Sequence, residues 1–183
     1  MERVAAIVRW DAGAANAGLQ EFAFAYYAQA GIATALVSLQ DRECLDVCLA
    51  LYALWHGVSG RGRIDDRQLA VADRAVRVIR RELIEPLRAV RRRARRDPDA
   101  AIAGLRASLA ATEIEIEKIA LQRLSALAGL PDDACGRDAR IAAAHANLAL
   151  CLGPGAVSSA EAAILRDGLV RFVAGADDRA RPP

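Results

Sequence analysis

The sequence predicts an all-α fold of six to seven helices, built around a long antiparallel helical hairpin over about residues 65–96 and 98–128. Three observations carry that expectation. Apolar residues recur at steps of three and four through Leu69, Ala72, Val76, Ile79, Leu83, Leu87, Val90 and Ala94, which keeps one face inward for most of a long helix. Asp97-Pro98 follows, a tight step into a second long periodic run. Helix propensity is strong along the first third of the chain, where no alternating β-branched run competes.

Taken in order, residues 1–17 are Ala/Gly-rich without clean periodicity and read as a loosely ordered N-terminal arm. Residues 18–175 read as a single helical domain, and 176–183 as a disordered tail. Two short helices are expected over 19–29 and 32–40, broken at Gly31, and a third over 46–56, with the Ser59–Arg63 stretch as a loop. The long helix has a marked start: Asp65 with Gln68 forms a capping box, and Ile64 and Leu69 occupy the staple positions. Pro86 inside it removes the bond to the carbonyl of Glu82 and predicts a kink. Asp97 as N-cap and Pro98 at the first helical position open the next helix, about 98–128. This helix is expected to bury Ile102, Leu105, Leu109, Ile116, Ile119 and Leu124 or Leu127. Beyond a 129–136 linker, two helices are expected over 137–152 and 159–174, the second opened by a Ser158/Glu161 capping box.

A chain of 183 residues can bury about 70% of its unfolded surface, so no disulfide or metal is needed to hold its core. Cys44, Cys48, Cys135 and Cys151 form no CxxC pair, which fits reduced thiols in a cytoplasmic protein. The apolar run between Arg3 and Arg9 is too short for a secretory signal. The uncharged runs 22–40 and 141–160 approach spanning length, but polar or helix-breaking residues sit in their middles, so no membrane span is expected.

Charge is uneven. Between Arg74 and Arg96 ten arginines face only Glu82 and Glu85, a local +8 within a chain whose net charge is +2. Lys118 is the lone lysine, a skew that suggests GC-rich coding and discounts arguments from arginine counts alone. Arg88, Arg91, Arg92, Arg95 and Arg96 gather toward the bend of the hairpin and make a candidate surface for an acidic protein or other anionic partner. Nucleic acid is a poor fit, because no aromatic residues are interleaved to stack bases. Counting outward from the bend puts Glu113 and Glu117 level with Arg77–Arg81, as ion pairs across the hairpin.

Other constellations are thinner. Cys44 and Cys48, four apart, could share a helical face with His56 beyond them, but two thiols and a distant histidine do not complete a metal site. His145 reads as a hydrogen-bonded core histidine. No Glu-x-x-His motif, positioned nucleophile or phosphate-cradling glycine loop is present, so no metal, cofactor or catalytic set is assigned and an enzyme is the weaker expectation. Gln40, Asp41 and Asp46 form a polar cluster between two apolar helices. They read either as helix capping or as the mouth of a pocket lined by Phe22, Phe24, Tyr26, Tyr27, Tyr52 and Trp55.

The run from Leu19 through Trp55, followed by RAVRVIRRELIEPLRAVRRR, resembles a bacterial family of small helical proteins catalogued as a domain of unknown function. The resemblance covers about residues 19–127, and its most specific pieces are Leu39-Gln40-Asp41, Asp46-Val47 and Pro86-Leu87-Arg88. In the family pattern an asparagine follows the Asp-Val pair and a glycine lies two residues before that aspartate; here Cys48 and Cys44 stand there. The resemblance implies an all-helical cytoplasmic protein and supplies no activity, but it raises interest in Gln40, Asp41, Asp46 and Arg88.

Two functions are expected from these residues. The first is a non-catalytic interaction or adaptor protein that docks an acidic partner through the arginine-rich helix end. The alternative is a binder of a small apolar or amphipathic ligand near Asp41 and Asp46, with Tyr52 and Trp55 in its pocket. A homo-oligomer is compatible with either.

Overall fold

The computed structural model describes residues 18–132 and 134–180. Its regular elements are all helical: α1 (Leu19–Tyr27), α2 (Ile32–Glu43), α3 (Val47–His56), α4 (Asp66–Ile79), α5 (Glu85–Ala94), α6 (Ala100–Ser125), α7 (Arg137–Ala156) and α8 (Ala160–Ala180). Two π-helical turns interrupt them, Gly57–Arg61 after α3 and Arg80–Ile84 between α4 and α5. Counting the continuous path 66–94 as one helix gives seven among the described residues. The expected arm over 1–17 lies outside these residues, as do 181–183; α8 runs on to Ala180, past the expected end near 174.

The core is centred on α3 rather than on the hairpin. All ten α3 residues are buried, the signature of a helix apolar on every side and enclosed by neighbours. It packs on α1, α2, α6 and α7, while α8 covers α2. The π turn that follows presses α3 against α7 so closely that a Cβ on Gly57 would lie 2.2 Å from the backbone nitrogen of Ala144. Asn147 of α7 ties this corner together. It accepts from Ile64 N at 2.8 Å and donates to the carbonyls of Ala53 and Gly62. Gly60 and Gly62, both at positive φ, turn the expected loop back toward α4.

The hairpin of α4–α5 against α6 is present, with three corrections to its details. Helix α6 starts two residues later than expected: Asp99, not Asp97, is its N-cap, accepting from Ala101 N at 2.8 Å, while Asp97 accepts from Asp99 N in the turn. The predicted stripe does not run straight through. Leu83 is 47% and Val90 53% exposed, whereas Ile84 is buried. The reason is the π turn, which holds one residue more than an α turn, so the inward step runs from Ile79 to Ile84. It lies just before Pro86, whose ring would clash with the carbonyl of Glu82 in an unbroken α-helix; the widened turn takes the place of a simple kink. Finally, Leu105 and Ile119 of α6 are about half exposed, and Glu113 occupies the inward face instead.

The C-terminal pair also differs at its joint. Helix α7 continues to Ala156 across a break at Gly153, and Ser159 rather than Ser158 caps α8 by accepting from Ala162 N at 3.1 Å. Glu161 reaches α2 instead, accepting from Ser38 Oγ at 2.8 Å and pairing with Arg42 at 3.0 Å. No single helix among the described residues is long and apolar enough to cross a membrane.

Candidate functional site

The turn from α2 into α3 lies against the π turn of the hairpin, and between them is a cleft of about 260 Å3. Its position follows from local chemistry. Helix α2 ends at Cys44, held in the left-handed region at φ 55, a conformation that suits glycine and strains a residue with a Cβ. Asp46 then caps α3, its Oδ1 accepting from Leu49 N at 3.1 Å. Both readings of Asp46 thus meet in one residue: it caps the helix and lines the cleft.

The inner wall is a network of paired charges. Arg80, on the π turn, donates through Nη1 to Asp46 Oδ2 at 2.6 Å and pairs through Nη2 with Asp73 at 2.9 Å. Arg88 uses all three guanidinium nitrogens: Nε to Glu113 at 2.6 Å, Nη2 to Glu117, and Nη1 to the amide oxygen of Gln40. Arg91 adds Nε to the other oxygen of Glu113 at 2.8 Å. Glu113 is only 6% exposed, so these arginines neutralise a carboxylate that would otherwise be buried unpaired. Burial works against the charge on Arg88, but the bonds and charges of Glu113 and Glu117 outweigh it and raise its pKa. Burial, and secondarily the neighbouring Glu113, raises the pKa of Glu117 despite Arg88.

This arrangement overturns two expectations. Arg88 and Arg91 do not belong to an open basic patch, since each is engaged by carboxylates of α6. Nor do Glu113 and Glu117 lie level with Arg77–Arg81. In an antiparallel pair each side chain leans toward the N-terminus of its own helix, so the residues that meet are staggered toward the bend.

The rim is different. Arg92 Nη1 stands 3.6 Å from Asp41 and Arg80 Nε 3.8 Å from Glu85, separations too long for hydrogen bonds. Gln40 gives its oxygen to Arg88, which leaves its amide nitrogen as a donor without a partner among the described residues. Leu45, Val47, Cys48 and Ile84, all buried, supply the apolar floor, and exposed Cys44 stands at the edge. Burial and the charge of Asp46 push the Cys48 thiol well above its usual range, so it behaves as packing rather than as a thiolate.

The remaining sequence candidates lie elsewhere. Tyr52 and Trp55 do not join the cleft: they sit roughly 9 and 14 Å further along α3 and are 4% and 2% exposed. Trp55 lies under the guanidinium of Arg61 at 4.3 Å, and Tyr52 against the ring of His56. Phe22 and Tyr26 are core residues stacked on each other and edge-to-face with Phe172. His56 Nδ1 lies 3.1 Å from the carbonyl oxygen of Gly62, and burial lowers its pKa. His145 sits 3.3 Å from the Arg166 carbonyl. No cluster of three metal-ligating side chains occurs among the described residues. Arg95 and Arg96 are exposed and, with Arg93, have no carboxylate within 4 Å among the described residues. Sequence reading missed Arg80, Ile84 and Glu85 as parts of a site. The one available signal was Arg80's place four residues before Ile84 and eight before Arg88, visible only once the π turn is known.

The family model described as a protein of unknown function (DUF2390) matches residues 19–124, more than half of the chain, and the chain belongs to that family. No curated protein and no solved structure matches it. The matched span holds the cleft and both walls of its charge network, and leaves out α7 and α8.

Proposed function

We propose that this protein binds a small amphipathic ligand in the cleft between the α2–α3 turn and the Arg80–Ile84 π turn. The observation that carries this reading is the division of the cleft: an inner wall whose charges are paired through hydrogen bonds, and a rim whose charges meet without them. Apolar floor, fixed inner wall and a few convergent polar groups at the mouth are what a small-molecule site requires. The volume of about 260 Å3 lies just under that of most small-molecule pockets and suits a small metabolite better than a cofactor. A π turn within a helix often accompanies a binding site, and here it sets the position of Arg80 and Arg88.

The test is a thermal-shift screen of small metabolites on the wild type and on Glu85→Trp, which places an indole across the mouth at an exposed position. Compounds that raise the midpoint of the wild type and leave that of E85W unmoved support the reading. A screen in which the two proteins respond alike removes it.

One observation favours a second reading. Arg93, Arg95 and Arg96 stand exposed at the end of α5 without carboxylate partners among the described residues, and could dock an acidic protein. With Arg88 and Arg91 engaged internally, that surface is smaller than the sequence suggests. Reversal of Arg93, Arg95 and Arg96 to Glu should abolish capture of such a partner in a pull-down; unchanged capture removes the idea.

A further inference from the structure

We infer that the ligand is a zwitterion of the amino-acid type, with one carboxylate, one ammonium group and a short apolar side chain. The inference rests on the cleft being a ligand site and adds the chemical class. Each inner group has its hydrogen-bonding partners: Asp46 uses one oxygen on Leu49 N and the other on Arg80, and Arg88 donates through all three nitrogens. A ligand therefore meets the rim. There the available groups are of both signs, and Arg92 and Asp41 stand 3.6 Å apart.

Arg92 is 61% and Asp41 55% exposed, paired at 3.6 Å without a hydrogen bond. Such a pair contributes little on its own and opens at small cost to admit a ligand with matching charges. The guanidinium of Arg92 is a donor only and suits a carboxylate, and the free amide nitrogen of Gln40 is a further donor lining the cleft. Asp41 is an acceptor and suits an ammonium group, and Glu85, loosely held at 3.8 Å from Arg80, is a further acceptor lining the cleft. Leu45, Val47 and Ile84 then receive the apolar side chain. A simple anion would leave both acids facing it, and a simple amine would leave Arg92 and Gln40 without a new acceptor. Only a ligand carrying both charges replaces both partners of the Arg92–Asp41 pair.

The experiment uses a panel of apolar α-amino acids, with isocaproate and isoamylamine as the matching compounds of leucine that lack one charge each. Affinity is read from thermal shift. Occupancy of the cleft is read from the rate of iodoacetamide labelling at Cys44, with Cys135, away from the cleft, as the internal control on the same chain. At least one amino acid should slow labelling of Cys44 and not of Cys135, and its single-charge analogues should bind about tenfold more weakly or worse. Arg92→Gln should weaken the amino acid and leave isoamylamine unchanged; Asp41→Asn should weaken it and leave isocaproate unchanged. Equal binding of a single-charge analogue overturns the zwitterion while leaving the cleft as a site. Failure of every amino acid to protect Cys44 also overturns it, and the E85W screen then decides separately whether the cleft binds anything.

Discussion

Arg88 and Arg92 lie one turn apart on α5 and look interchangeable in the sequence, yet they live in different surroundings. Arg88 has a side chain 16% exposed and a hydrogen bond from every nitrogen; Arg92 is 61% exposed and has one loose ionic neighbour. The difference lies in what stands opposite them. Arg88 faces Glu113 and Glu117 on α6 and Gln40 on α2, whereas Arg92 meets only the exposed end of α2 at Asp41. An arginine's role here follows from its place relative to the π turn and the neighbouring helices. The number of arginines around it decides nothing.

The widest gap between the two should appear on truncation. Arg88→Ala leaves Glu113 buried and Glu117 half-buried with weakened compensation and is expected to destabilise by about 3–5 kcal/mol in urea denaturation. Replacing Arg88, Glu113 and Glu117 together by Met or Leu should lose far less, because the one charge left without its partner, Arg91, is 39% exposed and reaches water. If the triple variant is as unstable as R88A, packing at this position rather than charge compensation explains the loss.

Asp46→Ala comes next. It removes the cap of α3 and one partner of Arg80, and should lower stability by about 2 kcal/mol. Asp46→Asn keeps a capping oxygen, so it should recover part of the loss. Full recovery would show that the contact with Arg80 contributes nothing.

A pH series sharpens the inner wall further. Burial raises the pKa of Glu117, so the folded protein takes up this proton at a higher pH than the unfolded chain. Its contribution to stability is therefore complete below the ordinary glutamate value and is lost as pH rises through the raised folded value. The urea midpoint of the wild type relative to Glu117→Gln should accordingly increase as pH falls across that window. A difference that stays flat with pH would mean Glu117 titrates normally.

The smallest effect is expected at the rim. Arg92→Ala should change stability by less than about 0.5 kcal/mol. A loss comparable to that of R88A would mean that Arg92 belongs to the structural network, and the distinction between wall and rim would fall.

These contrasts also show which parts were legible in the sequence. The helices were, because Leu69, Ala72, Val76 and Ile79 repeat at helical spacing and Asp65 with Gln68 closes a capping box that the structure contains. The π turn was not: Leu83 and Ile84 are adjacent and both apolar, so periodicity alone fits a step of four as well as a step of five. The partners of Glu113 and Glu117 were misplaced because residue counting ignores the lean of side chains along antiparallel helices. Gln40, Asp41 and Asp46 emerged from their polar character between apolar helices. Tyr52 and Trp55 were grouped with them because aromatic residues on an apolar helix suggest a pocket, whereas α3 is enclosed on all sides. The cleft itself needs the α2–α3 turn to meet a turn some forty residues later, and no local pattern encodes that meeting.

The most direct test of the cleft as the seat of function is native mass spectrometry of the protein purified from its own host, wild type beside E85W. The expected result is a wild-type population carrying the added mass of one small molecule, absent from E85W. Identical spectra from the two proteins, with no retained small molecule in either, would contradict it.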